Sequence, residues 1–164
     1  MFDGPSDCEV TEDELVEAIR VAFPAGQLLE PNDVATCPCE DCSALRAAFQ
    51  HRLWPDVPAA TIDRHYSNLP LFTPLAFRQF LPAYMTRGIM KEDGSCQNEV
   101  LEFTCYQLLP EDLDEHWHER IAGFTDEQAA LIPAFLGAAR ARETNDYDAP
   151  NPAALEYWQA KRPN

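Results

Sequence analysis

Apolar residues recur along this chain at three- and four-residue intervals and are punctuated by prolines, a pattern that predicts helices throughout. Leu15, Ala18, Ile19, Ala22 and Phe23 share one helical face, and Thr11-Glu-Asp-Glu14 before them is a capping box in which the hydroxyl and the carboxylate satisfy orphan amides. Pro24 and Gly26 end that helix. Residues 24–40, with Pro24, Gly26, Pro31 and Pro38, read as a loop. A second helix is expected from Asp41 or Ser43 to Arg52 with Leu45, Ala48 and Phe49 inward, and Trp54-Pro55 ends it. A third starts near Pro58, with Ile62 and Tyr66 as its buried pair.

The fourth helix has the fullest signal. Thr73 caps it, Pro74 takes the first helical position where a missing N–H costs nothing, and Phe77, Phe80, Leu81 and Tyr84 form the apolar stripe. Pro82 falls inside that stripe and is expected to kink the helix. Residues 91–98 read as a polar turn. The run from Val100 to Tyr106 carries strand-like β-branched and aromatic residues, but Leu101, Cys105 and Leu108 keep a helical register, and helix is the reading taken. A helix from about Pro110 to Ala122 presents Leu113, Trp117 and Ile121. Thr125-Asp-Glu-Gln128 is a second capping box, leading to Ile132, Phe135, Leu136 and Ala139 with Pro133 among them. After a polar linker at 143–150, Asn151-Pro152 caps a last helix with Leu155 and Trp158. Phe72-Thr73 leading to Leu81-Pro-Ala-Tyr84 is echoed by Phe124-Thr125 leading to Ile132-Pro-Ala-Phe135, which reads as reuse of one helix design. The expected fold is all-α: a single compact helical domain of seven or eight helices, two of them proline-kinked, spanning 1–164 with its core in 11–142 and a short C-terminal helix at 151–161.

Charge changes the picture of partners. Twelve basic and 28 acidic side chains give a net −16, which repels nucleic acid and anionic membranes and suits a basic protein partner. Acid is concentrated in 1–41 and 111–127, whereas 44–91 carries Arg46, Arg52, Arg64, Arg78, Arg87 and Lys91 against Asp56 and Asp63. The bland alternative is a solvated acidic surface partly neutralised by that basic middle. The acidic N-terminus lacks a basic and apolar leader, and no apolar run reaches the roughly 18–20 residues that span a bilayer, so a cytoplasmic location with reduced thiols is expected.

Cys37-Pro-Cys-Glu-Asp-Cys42 brings three thiols into six positions. Cys39-x-x-Cys42 is a zinc half-site spacing, because two thiolates on such a turn reach one ion. Cys37, Cys39 and Cys42 are the candidate zinc ligands, with His51 as the fourth and Cys8 and His65 as alternatives. The helix that follows would stabilise thiolates, while Glu40 and Asp41 oppose further negative charge. Structural zinc, a redox pair and unliganded thiols in a tight turn remain open, and in each case the cluster is expected to staple the 24–40 loop to the second helix.

Asp112, Glu115, His116 and Glu119 share one face at i, i+3, i+4 and i+7. Asp112, Glu115 and Glu119 are the candidate contacts for a basic partner, against the plainer reading that acids belong in a helix first turn. No glycine-rich phosphate loop and no Gly-x-Ser-x-Gly elbow is present.

The segment Leu69-Pro-Leu-Phe-Thr-Pro-Leu-Ala-Phe-Arg-Gln-Phe-Leu-Pro-Ala-Tyr-Met85, the earlier Leu15-x-x-Ala-Ile-Arg-x-Ala-Phe-Pro24, the Cys39-x-x-Cys42 pair and Trp54-Pro-Asp56 together resemble a family of small bacterial proteins of unknown function. The similarity covers about residues 11–140, with Cys37 and the segment 143–164 as departures. The resemblance implies a bacterial, intracellular, helical domain, and it transfers no catalytic residues. Two functional classes follow. The leading expectation is a non-enzymatic acidic interaction protein, of immunity or antitoxin type, that neutralises a basic protein. The alternative is a small zinc-binding or thiol-redox protein centred on Cys37–Cys42.

Overall fold

Thr11 opens the first helix as a capping box: its hydroxyl accepts from the Glu14 amide at 3.2 Å, and the Glu14 carboxylate accepts from the Thr11 amide at 2.9 Å. The structure, a computed structural model, describes residues 10–90, 97–110, 115–142 and 152–161. Among the described residues the chain is all-α: α1 Glu12–Ala22, α2 Pro31–Val34, α3 Glu40–Phe49, α4 Ala59–Arg64, α5 Pro74–Ile89, α6 Gln97–Gln107, α7 Glu115–Ala122, α8 Asp126–Arg142 and α9 Pro152–Ala160. Short 3₁₀ turns at Trp54–Asp56 and Leu69–Leu71 precede α4 and α5. Together these form one compact helical domain.

α5 is the axis. It packs against α1, α2, α4, α6, α7 and α8. The predicted stripe of Phe77, Phe80, Leu81 and Tyr84 is fully buried, but so are Ala76, Met85 and Ile89, so the helix is enclosed nearly all round. Gly88 permits the close approach of α6, since a Cβ there would stand 3.0 Å from Leu101 Cα. Phe49 of α3 sits at the centre of an aromatic cluster, its ring edge-on to Phe72 at 5.0 Å and to Phe80 at 4.9 Å. The second capping box holds too: Thr125 and Gln128 exchange hydrogen bonds of 3.1 and 3.2 Å, and Gln128 Nε2 also donates to Ala22 O at the end of α1.

The last carbonyls of an α-helix have no partner within it. Here side chains from distant elements supply the donors. The Trp54 indole donates to Phe23 O and Pro24 O beyond α1, Trp117 donates to Gln107 O, and Trp158 donates to Leu108 O at the end of α6. Tyr84 donates to His65 O, the C-cap of α4. Arg78 donates to Glu119 O and Arg120 O in the last turns of α7.

The structure departs from the sequence expectation at several elements. There are nine helices among the described residues rather than seven or eight, because Pro31–Val34 forms a turn of helix inside the expected 24–40 loop. α3 begins at Glu40 and ends at Phe49, not at Arg52: Gln50 leaves the helical region at ψ 145°, and His51 follows at φ 55°. α4 stops at Arg64, so Tyr66 lies beyond it and packs edge-on to Phe103. In α9 it is Ala154 with Trp158, rather than Leu155, that is fully buried. Of the turn expected at 91–98, Gln97 and Asn98 belong to α6; residues 91–96, the expected cap at Asn151, the linker 143–150 and Leu113 lie outside the described residues.

Candidate metal centre

Cys39 is the N-cap residue of α3, with φ −64° and ψ 162°, and Cys42 lies one turn in, on the face that also buries Leu45 and Phe49. Cys37 precedes them across Pro38, whose ring limits the backbone on both sides. The Cys39 amide donates to Cys37 Sγ at 3.4 Å. The result is that the sulfur atoms of Cys37, Cys39 and Cys42 all lie within 4.8 Å of one another. Cys37 and Cys39 are exposed, and Cys42 is 1% exposed.

The two ends of the Cys-x-x-Cys pair are electrostatically unlike. The Cys42 backbone N–H, helped by the Cys37 and Cys42 thiols, holds the Cys39 thiol below its ordinary range, against opposition from Asp41. Burial pushes Cys42 up to about 11, with the neighbouring Cys39 and Cys37 adding to the rise. A bound cation would reverse that second effect, since its charge favours all three thiolates. The arrangement therefore presents one readily ionised sulfur, one buried sulfur and a third close to both. Such a set suits a soft metal ion, and it also suits thiol–disulfide exchange.

Arg46 completes the site, and sequence reasoning counted it only as a charge. It stands four residues after Cys42 on α3, which places both on one face. Its Nη1 donates to Cys37 O at 2.7 Å and to Ala35 O at 3.0 Å, pinning the approach to the cluster onto the helix that carries Cys42. That i, i+4 spacing was the available signal.

The imidazoles are placed elsewhere. His51 stands outside the thiol group; its side chain is 54% exposed with Nε2 4.0 Å from Glu30 Oε2, and its amide donates to Leu29 O at 2.9 Å. His65 is buried edge-on to Phe49, and burial holds it below its ordinary value. Its Nδ1 lies 3.1 Å from the Asn68 side-chain amide nitrogen, within hydrogen-bond distance. Cys105 is buried on α6, apart from the cluster, and Cys8 lies outside the described residues.

The predicted partner face is partly described. Glu115 and Glu119 are exposed on α7, with His116 Nδ1 3.6 Å from Glu119 Oε2, and Asp112 lies outside the described residues. No described helix is long and apolar enough to cross a membrane.

The model of a protein family described as "Family of unknown function (DUF6714)" matches residues 11–162. The chain belongs to that family. No curated protein and no solved structure matches it.

Proposed function

We propose that this is a small thiolate metal-binding protein in which Cys37, Cys39 and Cys42 hold a soft divalent cation, zinc by the chemistry of the donor set. The observation that carries this reading is the gathering of three sulfurs within 4.8 Å at the N-terminus of α3. Sulfurs each about 2.3 Å from a tetrahedral zinc stand roughly 3.8 Å apart, so closing on an ion needs shifts of about 1 Å or less. The positive end of α3 and the Cys42 amide favour the thiolate form of Cys39. A reducing compartment, the cytoplasm, would keep the thiols available. Zinc titration of the reduced protein by calorimetry tests the reading. One equivalent should bind tightly, and both Cys39→Ser and Cys42→Ser should abolish tight binding. Absence of any bound zinc in the native chain would sink it.

A second reading, association with a basic protein in the manner of an immunity or antitoxin protein, is favoured by a separate observation. Three of the five arginines of the basic middle are engaged within the fold, Arg46 with Ala35 O and Cys37 O, Arg78 with Glu119 O and Arg120 O, and Arg87 with Asp63, while Arg64 is exposed. Those three neutralise little of the surface, where Glu115 and Glu119 stand exposed on a chain of net charge −16. Capture of a cationic partner that is lost at high salt is the expected result; binding insensitive to salt, or no binding, speaks against it.

A further inference from the structure

Residues 24–40 connect α1 to α3 and end in the thiol cluster, and the sequence expectation is that this cluster, with or without a metal, staples the loop to α3. The structure assigns that work to other groups. Gln79 of α5 clasps Gln27 with both ends of its amide: Gln27 N–H donates to Oε1 at 3.2 Å, and Nε2 donates to Gln27 O at 2.6 Å. Leu29 O accepts from the His51 amide at 2.9 Å, and Val34 O accepts from the Thr73 amide at 2.9 Å. The Thr73 hydroxyl donates to Asp33 O. Leu29, Val34 and Ala35 are buried at 1% exposure or less. Arg46 then holds Ala35 O and Cys37 O. Every stretch of the loop from Gln27 to Cys37 is therefore tied to α3, α5 or their flanks before the sulfurs are considered.

The ligand set itself points the same way. A structural ion joins parts of the chain that are distant in sequence, and closure of a longer loop gives the larger stabilisation. Cys37, Cys39 and Cys42 lie within six consecutive residues, and the two exposed sulfurs face solvent, where a competing ligand reaches the ion directly.

Resting on the metal-binding reading above, we infer that the ion at Cys37, Cys39 and Cys42 is exchangeable and not a brace for the fold, and that Arg46 is the positioning residue that keeps the thiols gathered when the ion has left. Arg46 touches no sulfur in this role. It fixes the Cys37 carbonyl, and with it the direction from which Cys37 Sγ meets Cys39 and Cys42. Groups that orient metal ligands from behind typically contribute about 10–100-fold in affinity.

The full-length chain, reduced and loaded with zinc, is mixed with the chelating dye 4-(2-pyridylazo)resorcinol while helical circular dichroism is followed. The zinc should transfer to the dye with the helical signal and a cooperative thermal transition retained. Arg46→Met should weaken zinc binding about 10–100-fold with unchanged helical content. Arg46→Lys, which keeps a donor for the carbonyls, should recover most of the affinity. Loss of helix on removal of zinc would overturn the inference, as would an Arg46→Met chain that binds zinc as tightly as the native one. An Arg46→Met chain that fails to fold would overturn it too, since Arg46 would then brace the fold. A native chain that binds no zinc brings down the metal-binding reading itself, and this inference with it.

Discussion

Cys39 and Cys42 stand one turn apart at the start of α3 with their sulfurs within 4.8 Å, yet one is exposed and the other is 1% exposed. The exposed sulfur is the one that the Cys42 amide favours as thiolate, and the buried one is held as thiol. Nucleophile and reserve are thus separated by environment on a single helical turn.

That asymmetry predicts the order of alkylation. In the metal-free protein at neutral pH, iodoacetamide should modify Cys39 well before Cys42, as read by peptide mass spectrometry. Zinc should protect both. Equal rates for the two cysteines would contradict the assigned environments.

The same burial predicts an alkaline limit. Cys42 is raised in the folded state from its ordinary 9 to about 11, so the folded chain holds its proton where the unfolded chain has lost it. The stability this contributes is fully present below about pH 9 and is lost as pH rises through about 11. Tyr84, raised by burial, acts in the same direction. Urea denaturation of the metal-free protein should show stability falling across that window, and Cys42→Ala should fall less steeply. A Cys42→Ala slope as steep as that of the native chain would contradict it.

Arg87 and Asp63 tie α5 to α4 by a two-pronged pair, Nε to Oδ1 and Nη2 to Oδ2, each at 2.9 Å. The Arg87 side chain is 9% exposed and Asp63 23%. Asp63→Ala leaves a nearly buried cation and should cost about 2–3 kcal/mol, somewhat under the value for a fully buried pair because Asp63 touches solvent. The double variant with Arg87→Met should cost less than the sum of the singles. An additive double-mutant cycle would show that the pair carries no coupling.

At Gly88, α5 lies close against the backbone of α6 at Leu101. Gly88→Ala places a methyl group 3.0 Å from Leu101 Cα, a backbone atom that moves only with its helix. The intrinsic helical gain of alanine is about 1 kcal/mol, and overpacking typically costs about 1–3 kcal/mol, so net destabilisation is expected. A raised melting temperature would show that α6 shifts freely.

How much of this was legible in the sequence follows from the range of the interactions. Thr11–Glu14, Thr73–Pro74 and Thr125–Gln128 are local devices, and each forms the helix start its spacing announces. The run from Val100 to Tyr106 was decided for helix by Leu101, Cys105 and Leu108, all of which are buried. Helix ends were less legible because partners distant in sequence satisfy them, such as Trp158 donating to Leu108 O and Tyr84 donating to His65 O. Only six glycines occur in the chain, so the usual C-terminal signal was scarce. His51 carried a ligand's chemistry in sequence but serves as the left-handed residue after α3. The thiols were visible from spacing alone; the i, i+4 spacing placed Arg46 on the face of Cys42, but its carbonyl partners and the clasp of Gln79 on Gln27 depend on how the loop returns to α3 and α5.

X-ray absorption at the zinc edge of the loaded, reduced protein tests the central claim most directly. The predicted first shell contains at least three sulfur scatterers at about 2.3 Å, reduced in number by Cys37→Ser. A shell made only of nitrogen and oxygen, or one unchanged by Cys37→Ser, Cys39→Ser and Cys42→Ser alike, would contradict it.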